Sequence, residues 1–244
     1  MSRDDHGMSA DEIAAYRAGL DQWARPSVTC DLVVCTVVDG VFRVLLIRRG
    51  APPFEGHWAL PGGFVDIGNG TSEQGEDLVD AAARELQEET GLPNGSSWLE
   101  QLGAFGAPYR DPRLRVITVA FYALVRPDLA PMVHAGDDAS EARWFAVDEL
   151  PGELAFDHPA ILSAAIGRIR ERVVHGQLLF RLVPETFTSA ELRAASDAVL
   201  GNRADPGNFR RHVRRWLREG MIEAAIGRRY HSRKPARLYR FVDD

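Results

Sequence analysis

The sequence predicts an α/β sandwich followed by a C-terminal winged helix-turn-helix. Three observations carry that expectation. Runs rich in β-branched residues surround one acid-rich helix near the end of the stretch Pro61 to Leu92. After Asp157 the pattern turns helical and closes on helix, turn, helix and two strands. The charge divides the same way: residues 177–244 sum to +6 and residues 1–176 to −12, giving the −6 of the 244-residue chain. An acidic body with a basic tail points to a nucleic-acid partner for the tail.

A composition of 45% hydrophobic and 26% charged residues is that of a soluble globular protein. The start is polar and acidic, and no run approaches the apolar length of a membrane span, so a cytoplasmic protein without a membrane partner is expected. Cys30 and Cys35 are five apart on one expected strand and therefore point to opposite faces, where they cannot pair. Unpaired cysteines suit a reducing compartment.

Taken in order, Ser9 to Trp23 is an expected helix, capped by Ser9 with Glu12 in its first turn and ended by Pro26. Val28 to Val38 and Val41 to Arg49 read as strands joined by the hairpin turn Asp39-Gly40. Trp58-Ala59-Leu60 leads into the turn Pro61-Gly62-Gly63. Arg84 to Leu92 is helical, with Val79, Ala82, Ala83 and Leu86 on the arc expected to be buried. Leu99 to Phe105, Leu114 to Leu124 and Glu141 to Val147 are further strands. From Asp157 to about Val174, Leu162, Ile166, Ile169 and Val173 form one apolar stripe, so a helix is expected to link two domains. Leu178 to Leu182 reads as a short strand. Thr188 or Ser189 caps a helix that Gly201 stops, and Asp205 with Pro206 opens the basic helix Asn208 to Arg218. Met221 to Ala225 and Arg237 to Val242 are expected strands around a basic loop, Gly227 to Ala236. The division is an N-terminal extension and helix (1–24), an α/β domain (25–156), a linker helix (157–176) and a winged helix-turn-helix (177–244).

The helix ending at Leu92 carries the chemistry. Residues three and four apart share a helix face, so Glu85, Glu88 and Glu89 are expected to project together beside Arg84. Most acidic runs are solvated faces, but an arginine and a glycine-rich turn beside these acids suit a hard divalent ion such as Mg2+. Gly70, Glu76, Arg84-Glu85-Leu86, Glu88-Glu89 and Gly91-Leu92 stand at the spacing of the Nudix box, which the sequence resembles at every fixed position. That family binds, and usually hydrolyses, nucleoside diphosphates linked to another group. Its box glycine belongs to the Pro-Gly-Gly loop. Here about seven additional residues, Gly68 to Gln74, stand before Glu76, so Gly63 is the structural candidate for that glycine. The resemblance implies an α/β/α sandwich, Mg2+ on Glu85, Glu88 and Glu89, and Arg84, Glu85, Glu88 and Glu89 as the catalytic set. Arg48, Trp58, Gly62, Gly63, Phe64, Arg110 and Arg113 are candidate nucleotide ligands, with Phe54 and Tyr109 nearby. For each aromatic the alternative is core packing, and for each arginine a surface ion pair.

In the tail, Arg210, Arg211, Arg214, Arg215 and Arg218 spread along one side of the second helix, with Phe209, Val213 and Trp216 facing its core. Together with Asn208 and the wing residues Arg228, Arg229, Arg233 and Lys234, they are the candidate DNA contacts, since a guanidinium suits phosphates and guanine edges alike. The segments LLFRLVPETFTSAELRAASDAVLG, NFRR and RKPARLYRF resemble the tails of Nudix-related transcriptional regulators of NAD metabolism. That resemblance implies a dimeric repressor on a palindromic operator that senses ADP-ribose or a related nucleotide. The second reading is a magnesium-dependent ADP-ribose pyrophosphatase that the tail only dimerises, and the third is a protein that does both.

Overall fold

Strand β1 (Ser27–Val38) is the axis of the larger sheet, and its alternation sets the two layers around it. The computed structural model describes residues 9–20, 23–69, 74–93, 95–134, 139–174, 176–231 and 234–242. Cys30, Leu32 and Val34 of β1 enter one buried cluster, and Val33, Cys35 and Val37 enter another on the opposite face. Side chains alternate along a strand, so a strand that is buried on both faces feeds two cores at once. Cys30 and Cys35 are both free and buried, on opposite faces as expected.

β1 pairs antiparallel with β2 (Val41–Arg49) and β4 (Gly62–Phe64), and parallel with β6 (Val116–Val125). β3 (Trp58–Ala59) and β7 (Ala139–Ala146) join β2, and β5 (Ser97–Phe105) joins β6 to complete seven strands. Helix α2 (Leu78–Thr90) packs on the Cys30 face through Ala81, Ala82 and Leu86. Gly91, at φ +70, ends it in the left-handed conformation that glycine adopts without strain. The buried arc differs from the expected one: Val79 is 52% exposed, whereas Glu85 and Glu89 are buried. The acids lie between the helix and the sheet, so helical position rather than hydrophobicity decides which side chains are covered.

The opposite face carries α3 (His158–Val173), with Pro159 in its first turn. Its buried side is Ile161, Leu162, Ala165, Ile169 and Val173, with Ile166 partly buried. The helix covers β1, β5 and β6 and also touches α4 (Ser189–Leu200), so it belongs to the sandwich while it reaches the tail. α1 (Ala10–Leu20) is opened by reciprocal bonds: the Ser9 N–H donates to Glu12 Oε2 at 2.7 Å and the Glu12 N–H to Ser9 Oγ at 3.3 Å.

The expected strand at Leu178–Leu182 is instead a 3-10 turn, Gln177–Leu182, entered at Gly176 with φ +100. Leu178, Leu179, Phe180 and Leu182 are all buried, which a helical turn in a shared core allows. A short apolar run does not distinguish strand from helix by periodicity. A short strand, β8 (Thr186–Thr188), follows, and Thr188 caps α4 in a capping box with Glu191. α5 (Pro206–Arg218) is capped by Asp205 and buries Phe209, Val213 and Trp216.

β9 (Ile222–His231) and β10 (Lys234–Phe241) form a long hairpin, with β8 on the other side of β10. The expected loop at Gly227 to Ala236 is therefore strand over most of its length. Arg228 pairs with Arg237, and Arg229 with Ala236. Basic residues read as loop in sequence, yet cross-strand hydrogen bonding carries them here. An irregularity opposite Arg237 and Tyr239 leaves Ile226 fully exposed. Arg233 lies outside the described residues, as does the side chain of Lys234.

One hydrophobic cluster runs from Val33, Val44 and Tyr122 in the sheet through Ile161 and Ile169 of α3 to Leu192, Val199, Phe209 and Trp216 of the tail. The two domains named from sequence share this core. Two polar ties reinforce it: Arg170 Nε donates to the Val199 carbonyl at 2.9 Å, and Arg172 bonds Glu100 and the Tyr122 hydroxyl.

Candidate functional site

A cleft of about 340 Å³ opens where β1, β2 and β4 meet the loop between β5 and β6 and the start of α3. Its walls include Asp31, Arg49, Gly62, Gly63, Phe64, Glu89, Arg113 and His158. Pairing of β4 on β1 builds one side: Gly62 sits opposite Asp31 and Gly63 opposite Cys30. A Cβ on Gly62 would lie 2.2 Å from the Cys30 carbonyl oxygen, so only glycine lets the turn close on the strand.

Gly63 does a different job. A Cβ there would stand 2.3 Å from Glu85 Oε1, so the bare glycine leaves room for that carboxylate. Gly63, the candidate for the box glycine, is thus placed beside the Glu85 carboxylate. Gly70 lies outside the described residues. The inserted segment leaves and returns through a narrow neck: the Glu76 N–H donates to the Asp66 carbonyl at 3.0 Å, and the Asp66 N–H to Glu76 Oε1 at 2.9 Å. The extra residues therefore leave Glu76 in place.

Arg84 organises the acids. Its guanidinium donates to Glu76 at 2.7 and 3.1 Å, to Glu85 at 2.7 Å, to Glu88 at 2.9 Å and to the Phe64 carbonyl at 3.1 Å. Bonding to Arg84 holds the Glu76 carboxyl below its ordinary range. Burial pushes Glu85 up, only partly opposed by Arg84. Glu89 turns to the cleft wall, while Glu88 is 58% exposed at its side chain. The donor set is all oxygen, as magnesium prefers, and Gly63 leaves space beside Glu85. Among the described residues, no three acid, imidazole or thiol groups stand close enough to share an ion. Glu85, Glu88 and Glu89 are the residues that would hold a magnesium ion, which would supply positive charge against a phosphate.

Of the expected nucleotide ligands, Gly62, Gly63, Phe64, Arg110 and Arg113 line the cleft. Arg48 and Trp58 do not. They are cross-strand partners, Arg48 bonding the Gly56 carbonyl and Trp58 packing edge-on against Phe145 at 4.8 Å. Alternation sends the neighbouring Ile47 and Arg49 to the cleft instead. Arg49 lies over the Phe156 ring at 5.0 Å, and burial, with Arg113 nearby, lowers its pKa. It makes no ion pair within 4.0 Å among the described residues. Within an Arg-Arg pair, sequence cannot say which residue faces the ligand until the strand is assigned a face. Phe54 packs on Phe156 at 4.8 Å, and Tyr109 stands 95% exposed with φ +64, beside the cleft.

The two remaining arginines have fixed partners. Arg113 chelates Asp111 at 3.0 and 2.7 Å and lies over the Phe64 ring at 5.7 Å. Arg110 is buried and donates to Asp31 at 3.0 Å and to Asp157 at 2.9 and 2.6 Å. Burial alone would lower its pKa, but the two carboxylates outweigh this and raise it. The Leu60 N–H donates to His158 Nδ1 at 2.9 Å, which fixes that nitrogen as the acceptor and puts the proton on Nε2. Burial lowers the imidazole's pKa, so His158 is neutral at pH 7. Asp31, Asp157 and His158 gave no sequence signal, because they are far apart in the chain and sit in no motif.

In the tail, Arg210, Arg211, Arg214, Arg215 and Arg218 all lie exposed along α5. Asn208 accepts from the Arg211 guanidinium. Arg228 is exposed on the wing. Arg229 instead turns inward, donating to Glu191 at 2.6 Å and to the Thr186 carbonyl at 3.2 Å.

The comparisons agree with both halves. Residues 30–165 match the NUDIX domain model, and residues 179–241 match the NrtR DNA-binding winged helix domain. The chain is 34% identical over 231 residues to the ADPR responsive transcriptional repressor NtrR of Acinetobacter baylyi, covering 94% of this chain and 87% of that protein. It is 44% identical over 131 residues to the ADP-ribose pyrophosphatase of Methanocaldococcus jannaschii, covering 52% of this chain and 69% of that enzyme. The crystal structure of Shewanella oneidensis NrtR complexed with a 27mer DNA superposes with a TM-score of 0.73 at 30% identity, covering 88% of this chain and 93% of that one. With a Nudix cleft and a winged helix on one core, the chain belongs to the Nudix family, in the group whose Nudix domain is followed by an NrtR-type DNA-binding winged helix.

Proposed function

We propose that this protein is a DNA-binding transcriptional repressor of NAD biosynthesis or salvage genes whose Nudix domain senses ADP-ribose or a related NAD-derived nucleotide. The observation that carries the reading is the shared core: the helix that starts at the cleft, at Asp157 and His158, ends bonded to α4 of the winged helix. A nucleotide that repacks the Arg110–Asp157–His158 cluster changes the seat of α3, and with it the winged helix. Arg49 and Arg113 are the cations placed to meet the diphosphate, and Phe64 supplies a ring. The protein acts as a C₂ homodimer on a palindromic operator, as a winged helix reading two half-sites requires. No described helix is long and apolar enough to cross a membrane, and a cytoplasmic location fits a regulator of this kind.

A titration of operator DNA with and without ADP-ribose tests this. Coupling between two sites is typically ~1–3 kcal/mol, so saturating ligand is expected to lower operator affinity roughly 5–150-fold. Unchanged DNA affinity with ADP-ribose demonstrably bound would refute the sensor reading.

A second reading, magnesium-dependent ADP-ribose pyrophosphatase alone or alongside repression, is favoured by the intact Arg84, Glu76, Glu85 and Glu88 cluster. Magnesium there would offset phosphate charge and activate water. Arg84 would keep Glu85 oriented toward the cleft.

A further inference from the structure

We propose that Arg193 of α4 and Arg237 of β10 form, together with Arg210 of the exposed α5 stripe, a clamp for the DNA sugar-phosphate backbone. It rests on the DNA-binding reading above and names a contact within it. A groove of about 310 Å³ lies between the start of α4, the start of α5 and the wing strand β10. Arg193 comes from α4, Arg210 from α5 and Arg237 from β10, so three separate elements deliver one guanidinium each. The remaining lining residues are neutral, among them Thr188, Ser189 and Tyr239, and no carboxylate lines the groove among the described residues.

Some arginines of the tail are neutralised by carboxylates and others are not. Arg229 is matched by Glu191, and Arg240 by Glu223. Arg193, Arg210 and Arg237 have no carboxylate within 4.0 Å among the described residues, although Arg193 is half-buried. On the wing, Arg237 stands directly opposite Arg228 in the cross-strand register. Like charges directly opposite on a sheet destabilise it, and three guanidinium groups around one groove repel one another. An anion that enters the groove relieves both. The oxygens of a DNA phosphate suit guanidinium donors delivered to one groove from three elements, and such contacts position a duplex without reading its bases.

Register decides which wing arginine takes part. Arg229 and Arg237 belong to the same hairpin, but Arg229 faces inward to Glu191 while Arg237 faces the groove beside Tyr239. Arg229 braces the wing, and Arg237 meets the DNA.

The full-length protein is titrated with a random-sequence DNA duplex across a salt series, since a phosphate contact needs no operator. Arg193→Gln and Arg237→Gln are each expected to reduce the slope of log affinity against log salt by about one, and the double variant by about two. Arg237→Lys, which keeps the charge, should retain the wild-type slope. Arg229→Gln should leave the slope unchanged and lower the thermal midpoint. A wild-type slope in both single Gln variants overturns the clamp while leaving DNA binding intact. A loss in Arg237→Lys equal to that in Arg237→Gln also overturns it, because a packing role would then explain both. If the wild-type protein fails to bind the duplex even at low salt, the DNA-binding reading falls and the clamp with it.

Discussion

Arg110 and Asp157 are joined by two hydrogen bonds, at 2.9 and 2.6 Å, between a loop of the cleft and the residue that precedes the first turn of α3. The same guanidinium reaches Asp31 on the central strand. Removing one partner of a buried ion pair strands the others, at a cost of ~3–5 kcal/mol. Arg110→Ala is therefore expected to destabilise the protein by that amount, as measured by chemical denaturation. Asp157→Asn keeps the hydrogen-bonding shape and loses the charge. It should leave ADP-ribose affinity nearly unchanged and shrink the effect of ligand on DNA binding. An undiminished ligand effect in Asp157→Asn would separate α3 from the coupling.

Arg49 and Arg48 make a paired test of the cleft. Arg49→Ala should weaken ADP-ribose binding by roughly 10–100-fold, as expected for loss of ~1.5–3 kcal/mol in a hydrogen bond to a charged group. Arg48→Ala should have little effect, since Arg48 lies on the other side of the strand. Calorimetric titration of both variants decides which arginine meets the ligand.

Gly62 and Gly63 are predicted to fail in different ways. At Gly62 an added Cβ meets backbone 2.2 Å away, and φ is +149, so Gly62→Ala should lower stability by more than ~1 kcal/mol. At Gly63 the obstacle is the end of the Glu85 side chain, which can rotate. Gly63→Ala should melt close to wild type and lose any pyrophosphatase turnover. Equal melting points for the two variants would contradict this distinction.

The carboxylates on α2 predict magnesium-dependent cleavage of ADP-ribose to AMP and ribose 5-phosphate. Glu88→Gln combined with Glu89→Gln removes two charges from the expected ion site and should abolish turnover. Chelation of magnesium should do the same to the wild-type protein. Absence of turnover in the wild-type protein with magnesium or manganese leaves the Nudix domain as a sensor alone.

His158 predicts a pH dependence of stability. Burial lowers its folded pKa below the unfolded imidazole value of ~6.5. Its contribution is therefore complete above pH ~6.5 and declines as pH falls from there through the folded value. Protonation also turns Nδ1 into a donor facing the Leu60 N–H. Relative to His158→Asn, the wild-type melting temperature should fall more steeply between pH ~7 and ~5. Parallel curves would remove His158 from the acid response.

The architecture was legible in the sequence because local signals determine it. Val28–Val38, the Asp39-Gly40 turn, the Thr188 and Asp205 caps and Gly201 each act within a few residues. Periodicity and turn chemistry read such signals directly. The Nudix box was legible because its acids share one helix. What the sequence could not determine required long-range placement. The face of β2 puts Arg49 rather than Arg48 on the cleft, and the hairpin turns the expected Arg229 to Glu191 while Arg237 lines the groove. Leu178–Leu182 folded as a 3-10 turn because a shared core could bury the whole run. Asp31, Arg110 and Asp157 meet only after β1, the β5–β6 loop and α3 have packed. Local propensities determine the elements, whereas burial and charge pairing between distant elements determine which side chains face the cleft and the groove.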